Sequence, residues 1–271
     1  MVSPTTRRAI CGRVGYAAAV QSKPSVKQYW EEAPPTDFEA FATVVESRRS
    51  VRRFADEPIP DEVVERCLDL ALLAPTSSNL QCWELYRVVD PAKKQALVEA
   101  CLSQPAAATA AELIVAVARI DTWKRNARDI LRHLERDVWT WPKSMHAYYS
   151  LITRIAYDNG PLGLLGPVKK ALVSAVGLVR PIPRGPTSRA ELVTWAVKTT
   201  ALACENLMLA FRAAGYDSCP MEGMDEERVR RILGLGRDAI VTMVIGAGRR
   251  RRGGVYGPRI RLPRERFVKT V

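Results

Sequence analysis

The feature that most constrains the fold is a long segment in which apolar residues occur on almost every side of a predicted helix. Ser188 and Glu191 have the spacing of a capping box, which marks a helix start. Apolar residues then recur at helical spacing from Leu192 to Ala210, and Gly215 follows as the expected end. A helix that is apolar nearly all round lies at the centre of a domain or in a subunit interface. We therefore expect the rest of the chain to fold around residues 188–215.

The remaining patterns mix helices and strands within one domain. The capping box Thr36–Glu39 predicts a helix over 37–47, and a second helix is expected from Pro60 to the break at Ala74. Asp90, followed by Pro91, marks the start of another helix. Asp225 marks the start of a short helix that should end at Gly234. Short apolar runs predict strands at 85–89, 113–118 and 240–245.

Two segments stand apart from these elements. Residues 1–36 are predicted to form an N-terminal extension that is disordered or wraps a partner. Residues 121–187 lack simple periodicity and are rich in Trp, Tyr, Gly and Pro. We therefore divide the chain into the extension and one domain over 37–271, with an insertion at about 121–187.

Composition limits the partners and the compartment. The 271 residues carry a formal net charge of +12, which predicts attraction to nucleic acid, anionic lipid or a phosphate-bearing cofactor. The six cysteines form no CxxC pair, and no apolar run is long enough to span a bilayer. We therefore predict a reducing, cytoplasmic location. With two histidines and no cysteine pair at ligand spacing, we expect no metal site.

Four short motifs carry the candidate chemistry. They are RRSVRRF at 48–54, APTSSNLQCW at 74–83, CPMEGMD at 219–225 and GPRIRLP at 257–263. The first places four arginines and a serine together with no acid, an arrangement that suits a bound phosphate. In this order the four motifs resemble the FMN-dependent nitroreductase family, over about 37–120 and 188–267. Cys82 stands where the family commonly has a proline.

The resemblance implies an architecture. It is an α+β, nitroreductase-like sandwich in which a central, mostly antiparallel sheet is flanked by helices. It also implies a domain-intertwined homodimer, in which the long central helices of two subunits pack together and the FMN sites lie at the subunit interface. The apolar helix at 188–215 suits such a dimer.

The resemblance also implies a set of cofactor-binding residues. Arg48 and Ser50 would serve the phosphate and ribityl chain, and Arg52 would place a cation beside N1 and O2 of the flavin ring. Asn79 would bond the pyrimidine edge, and the backbone N–H of Glu222 would donate to flavin N5 as the catalytic contact. The full set is Arg48, Arg49, Ser50, Arg52, Asn79, Gln81, Pro220, Met221, Glu222, Gly223, Arg259 and Arg261.

Plainer interpretations of these motifs remain open. The side-chain amides of Asn79 and Gln81 would equally suit hydrogen bonds to the nearby backbone, with no ligand involved. The PMEG segment at 220–223 would equally suit a tight connection from a helix to a strand. The basic pair Arg259 and Arg261 is assigned to the phosphate by the resemblance alone. The run Arg249–Arg252 does not match the family, and we predict a solvated loop there.

The implied function is an NAD(P)H-dependent oxidoreductase. Hydride would pass through FMN N5 to a small-molecule acceptor, namely a nitroaromatic, a quinone or an activated alkene. Other reactions of the same superfamily are alternatives: reductive dehalogenation, flavin breakdown, or oxidation of a peptide-derived ring. An alternative of a different class is a basic module that binds nucleic acid or a membrane surface. That alternative leaves Asn79 and the PMEG segment unexplained, so we expect no nucleic-acid partner.

The insertion at 121–187 supports three interpretations. Its tryptophans and tyrosines, with Gly and Pro breaks between them, suit a helical lid over the flavin that sets acceptor size. The same aromatic residues could instead pack against the core. A third interpretation makes 162–179 a surface helix on anionic membrane, with Lys169 and Lys170 on its polar side.

Overall fold

The computed structural model describes residues 29–271, apart from the side chain of Leu162. Most of the predicted N-terminal extension, residues 1–28, therefore lies outside the described residues. Over 29–271 the helices are α1 (Phe38–Ser47), α2 (Asp61–Leu72), α3 (Pro91–Ala100), α4 (Pro105–Ala108), α5 (Trp123–Arg136), α6 (Lys143–Ala147), α7 (Thr153–Tyr157), α8 (Gly166–Val179), α9 (Arg189–Ala213) and α10 (Glu226–Leu233). The strands are β1 (Trp83–Arg87), β2 (Glu112–Arg119), β3 (Asp217–Met221) and β4 (Ala239–Gly248).

The four strands of the described region form one sheet in the order β1-β2-β4-β3. Each neighbouring pair is antiparallel, as expected. β2 is buried on both faces, because successive side chains point to opposite sides of the sheet and both sides are covered by helices. Leu113, Val115 and Val117 face the cluster that includes α3, α4 and α10, whereas Ile114 and Ala116 face α2 and α9. The predicted α+β sandwich with an antiparallel sheet is confirmed.

Helix α9 has the central position that its sequence requires. The Ser188 side chain caps it by accepting a hydrogen bond from the backbone N–H of Glu191. At about 1.5 Å per residue its 25 residues extend about 37 Å. Its buried side chains, among them Trp195, Leu207 and Phe211, join both the core beneath the sheet and the core of the insertion.

Several predicted boundaries change. The cap of α1 is Asp37, whose side chain accepts from the backbone N–H of Ala40, and not Thr36. β1 covers 83–87 instead of 85–89, because Val89 lies outside the ladder and is exposed. β3 has no counterpart among the predicted strands. It contains Pro220, which an edge strand tolerates because its outer N–H groups need no ladder partner.

The insertion at 121–187 is mostly helical. Helices α5 to α8 lie within it, and a π-helical turn over Tyr148–Ile152 joins α6 to α7. Trp123, Tyr149 and Tyr157 are buried against Leu80 and Trp195, so these aromatic residues contribute to a core of their own. The interpretation as core packing is therefore correct for these three residues.

Candidate functional site

The segment 48–54 is held at the sheet edge by two buried side chains. Val51 and Phe54 are fully or almost fully buried in the core on the α3 side of the sheet. Between them Arg52 is half-buried, and Ser50 is exposed. The buried side chains of Val51 and Phe54 therefore fix the motif in the core, while Ser50 and Arg52 remain accessible to a ligand.

Backbone hydrogen bonds fix this segment on both sides. The N–H of Val51 donates to the carbonyl of Ser218 in β3 at 3.1 Å, and the N–H of Arg52 donates to the carbonyl of Gly254 at 2.6 Å. A Cβ at residue 254 would lie 2.3 Å from the carbonyl oxygen of Arg53, so the close approach requires glycine there. The segment therefore lies between β3 and the chain that follows β4 and is hydrogen-bonded to both.

The charge at this edge is positive. Arg48 lies 3.8 Å from the carboxylate of Glu205 on α9. Over residues 29–271 no ion pair involves Arg52. Burial raises the pKa of the Cys219 thiol in β3, and the positive charges of Arg52 and Arg48 oppose that rise. Both guanidinium groups therefore act on the strand that ends in the PMEG segment, and they have donors to offer an anion.

The PMEG segment begins within β3 and continues beyond its end. Pro220 and Met221 are the last residues of the strand, and Glu222 and Gly223 follow it. The Gln104 side chain donates to the carbonyl of Gly223 at 2.7 Å, which fixes the turn against the chain before α4. Because residues 50 and 218 form a β-bridge, the structure brings the RRSVRRF and PMEG motifs to the same edge of the sheet.

The C-terminal motif reaches the same edge. The Arg259 guanidinium donates to the carbonyls of Glu46 at 2.6 Å and Arg48 at 2.5 Å, at the end of α1. The Arg49 guanidinium donates to the carbonyl of Gly257 at 2.6 Å. Arg261 is exposed and donates to the carbonyl of its neighbour Ile260. In this chain Arg49 and Arg259 thus join the tail to the arginine motif.

Asn79 and Gln81 lie elsewhere, in the loop before β1. Both are exposed, and the Gln81 amide donates to the Asn79 carbonyl at 3.2 Å and to its side-chain oxygen at 3.3 Å. Three non-glycine residues of this loop have positive φ: Ser78 at 57°, Asn79 at 50° and Gln81 at 46°. Such backbone is strained and persists only where surrounding contacts hold it.

Those contacts come from the insertion. The Ser78 hydroxyl is within hydrogen-bonding distance of the hydroxyls of Tyr148, at 2.6 Å, and Tyr157, at 2.8 Å. The Tyr149 hydroxyl donates to the Ser78 carbonyl at 3.1 Å, and the Asn126 amide donates to the Leu80 carbonyl at 2.7 Å. The sequence marked the tyrosines as aromatic surface, whereas their hydroxyls position the loop that carries Asn79.

The two halves of the predicted site are far apart within one chain. β1 and β3 are opposite edges of the sheet, and three strand spacings of about 4.8 Å separate them by about 14 Å. Trp83 is level with Ile240 of β4, whereas Met221 is level with Val244, which adds about 13 Å along the strands. Asn79 and Gln81 are therefore not brought together with Arg48, Ser50, Arg52 and Glu222.

A cavity of about 610 Å³ opens beside Asn79 and Gln81. Its walls come from the start of β1, the end of α2 and the insertion. They are formed by Leu72, Asn79, Gln81, Trp83, Glu84, Leu85, Asn126, Asp129, Ile130, His133, Leu134, Trp141, Met145 and Tyr149. The wall combines apolar and aromatic side chains with amides and charged groups, a mixture that can hold a small molecule and fix its orientation.

The basic run at 249–252 differs from the predicted solvated loop. Arg250 forms an ion pair with Asp217 at 2.5 Å, and the Asp217 side chain is only 1% exposed. Arg212 of α9 approaches the same carboxylate at 3.1 Å. Arg249 pairs with Glu57 at 2.7 Å and lies over the ring of Tyr216. The prediction was wrong for Arg250, because the chain after β4 runs beside β3 and brings this arginine onto a buried acid. Arg249, Arg251 and Arg252 are exposed, as predicted.

Comparison with known proteins agrees with this arrangement of motifs. The model of the nitroreductase family matches residues 45–249. The chain belongs to the nitroreductase family. The NADH dehydrogenase of Thermus thermophilus is 30% identical to the chain over 226 residues, which cover 83% of this chain and 93% of that protein. As a family member the chain is an oxidoreductase, which decides against its being only a basic binding module.

Solved structures show the same fold. The Bacillus subtilis protein ydfN superimposes with a TM-score of 0.67 at 24% identity, over 87% of this chain and all of that one. A protein of Exiguobacterium sibiricum, solved in complex with FMN, superimposes with a TM-score of 0.61 at 22% identity, over 88% of this chain and 99% of that one. The sandwich of this chain is thus the nitroreductase fold.

Proposed function

We propose that the chain is an FMN-dependent oxidoreductase that takes hydride from NAD(P)H and delivers it to a nitroaromatic, a quinone or an activated alkene. The observation that carries the proposal is the donor set at the β3 edge, where Ser50 and Arg52 are available beside Arg48 and the PMEG segment. These donors fit a phosphate and the polar edge of a flavin. When bound, FMN supplies the hydride-carrying N5 position.

The residues at this edge have separate tasks in the proposal. Arg48 and Ser50 would hold the phosphate and ribityl chain, and Arg52 would supply a positive charge to the N1 and O2 edge of the ring. The backbone N–H of Glu222 would supply a neutral donor to N5. Arg49, Arg259 and Arg261 keep the basic tail near the phosphate. All three guanidiniums already donate to backbone carbonyls, and because those of Arg49 and Arg259 join the tail to the arginine motif, the role of these two is to position it.

The separation of the two halves supports a site shared between two subunits. One chain would supply the arginine motif and PMEG, with Pro220 and Met221 against one flavin face, and its partner would supply Asn79 and Gln81. Helix α1 buries no side chain in one subunit and exposes Phe38, Phe41 and Val45. Exposed apolar residues in such a group are typical of a surface that a homodimer covers.

The visible spectrum tests the proposal most directly. We expect the purified protein, after incubation with FMN and removal of free ligand, to hold about one flavin per subunit, because each subunit contributes one copy of both half-sites. Anaerobic NADH or NADPH should bleach the flavin band, and an added quinone or nitroaromatic should restore it. A protein that retains no flavin under these conditions would contradict the proposal.

We also propose that the cavity beside Asn79 admits the electron acceptor, and that the insertion determines how large an acceptor can enter. Trp141 lines that cavity and is fixed by a hydrogen bond from its indole N–H to Asp137 at 3.0 Å. Trp141→Ala should therefore change the ratio of kcat/KM between a bulky and a small acceptor by about tenfold, with FMN binding unchanged.

Trp139 provides the matched control for this substitution. It lies in the same loop but does not line the cavity, since its ring packs edge-on against Tyr29. We expect Trp139→Ala to keep the acceptor ratio of the unmodified protein. Equal ratios in the two variants would show that the cavity does not select the acceptor.

A further inference from the structure

Helix α8 presents an apolar face to solvent. At 100° per residue, positions 168, 171, 172, 175, 178 and 179 share one side of the helix. They are Val168, Ala171, Leu172, Ala175, Leu178 and Val179, and all six are exposed. Leu178 is 87% exposed and Val179 is 89% exposed. A surface helix of a globular protein normally has the opposite pattern, with its apolar side turned to the core.

Polar contacts on the other side hold the helix in this orientation. Lys169 is turned inward, where its ammonium donates to the carbonyls of Ala156 and, at 2.8 Å, Pro186. Burial lowers the pKa of this lysine. The Arg184 guanidinium closes over the helix and donates to the carbonyl of Gly177 at 2.8 Å. Both lysines thus lie away from the apolar face, as expected, but Lys169 is half-buried and only Lys170 is exposed.

The surroundings of this apolar face are positively charged. The segment 159–190 contains five basic residues and no acidic residue. The two acids that flank it, Asp158 and Glu191, act on Lys169, which is turned away from the apolar face. Lys170 in the helix, and Arg180 and Arg184 just after it, are exposed. Such a surface matches an anionic partner that also accepts apolar side chains. A second copy of α8 would bring the same positive charges together. Residues 1–28 also contain five basic and no acidic residues, so they offer no complementary charge.

We propose that α8 docks the protein on an anionic membrane surface. Its 14 residues extend about 21 Å, shorter than the roughly 30 Å of a hydrocarbon core. Over residues 29–271 no helix is long and apolar enough to cross a bilayer. The helix therefore lies in the plane of the interface, with Leu172 and Leu178 among the acyl chains and Lys170 and Arg180 at the headgroups. This inference is independent of the chemistry proposed for the flavin site.

Binding to vesicles tests the proposal. The FMN-loaded full-length protein should float with vesicles containing 30 mol% phosphatidylglycerol, and the partition coefficient should fall at least tenfold on pure phosphatidylcholine or in high salt. Leu172→Ser/Leu178→Ser keeps the charge and should lower binding to the anionic vesicles at least tenfold. Val89→Ser, a substitution at another exposed apolar position, should leave binding unchanged.

A fluorescent label reports whether the helix itself inserts. Ala175 lies at the centre of the apolar face, and the cysteines of the described region are buried, so a polarity-sensitive dye on Ala175→Cys in a Cys11→Ser background labels one site. We expect a blue shift of its emission with anionic vesicles. No shift, or no binding by the parent protein, would overturn the proposal. A serine variant that binds vesicles normally but forms smaller oligomers would assign the face to a second copy instead.

Discussion

Arg52→Ala should raise the dissociation constant for FMN about 30-fold or more. A hydrogen bond to a charged group contributes about 1.5–3 kcal/mol, and about 2 kcal/mol corresponds to a 30-fold change in affinity. Arg52 is half-buried and forms no ion pair within residues 29–271, so in the proposal the flavin is its partner. Titration of the apoprotein with FMN, followed by flavin fluorescence, measures the change.

The adjacent arginine provides the control. Arg53 is exposed, and Arg53→Ala removes an identical charge one residue away from the motif position. We expect the FMN affinity of this variant to change less than threefold at moderate salt. An exposed arginine that does not touch the flavin attracts it only at long range, and salt screens that attraction. If Arg53→Ala and Arg52→Ala weaken FMN equally, the contact assigned to Arg52 is wrong.

Mixed dimers test whether the site is shared. We would combine Arg52→Ala chains with Asn79→Gly/Gln81→Gly chains, since glycine keeps the positive φ of that loop while removing both amides. A mixed dimer then contains one site with every original residue and one site that lacks both sets. Random assembly should restore about a quarter of the original sites.

The alternative has a different outcome. If one chain supplied all of the contacts, no site in the mixture would be complete. Flavin binding would then stay at the average of the two parent variants. Recovery above that average supports the shared site, and its absence contradicts the shared site while leaving the flavin chemistry itself to the spectrum of the unmodified protein.

Local signals predicted most of the elements because they are strong in this sequence. The cap at Ser188 and the apolar run behind it specified α9. Asp225 and Gly234 specified α10, and Gly234, just after the last helical residue, has the left-handed backbone expected of a glycine cap. Helix α5 had a usable signal that we missed. Trp123, Ala127, Ile130, Leu131 and Leu134 recur at helical spacing within an otherwise charged segment.

The missed strand and the divided site depend on long-range contacts. β3 contains an aspartate and a proline, which disfavour strands, and it forms because β4 supplies its ladder. The order β1-β2-β4-β3 places the PMEG segment and Asn79 at opposite edges, and this order cannot be obtained from local patterns. The motifs therefore name candidate residues for the site, but they do not show which of these residues one chain can bring together.

The run Arg249–Arg252 shows that local sequence also cannot predict which charged side chain finds a buried partner. Four identical side chains stand in sequence, and nothing local distinguishes one from another. The fold selects Arg250 because the chain leaves β4 beside β3, where the Asp217 carboxylate is buried. Only the three-dimensional arrangement converts one of these arginines from a solvated charge into the partner of a buried acid.

Asp217→Asn should lower the free energy of unfolding by about 3 kcal/mol. Removing one member of a buried ion pair costs about 3–5 kcal/mol because the remaining charge is left uncompensated. We expect the lower end of that range, since Arg212 and Arg250 are 23% and 37% exposed and can regain water. The loss also reaches the site, because the Asp217 carboxylate joins β3 to α9 and, through Arg250, to the carbonyl of Ser47 just before the arginine motif.

An exposed ion pair in the same chain isolates the contribution of burial. Asp238 pairs with Arg189 at 3.2 Å, with side chains 46% and 51% exposed. Asp238→Asn makes the same chemical change and should cost less than about 1 kcal/mol. Both variants should be unfolded in urea at one protein concentration and with saturating FMN, because subunit and ligand binding shift apparent stability. Equal losses in the two variants would mean that the Asp217 cluster stabilises the fold no more than a surface pair does. A difference of about 2 kcal/mol would show that the buried Asp217 carboxylate, held between Arg212 and Arg250, stabilises this edge of the sheet more than a surface ion pair could.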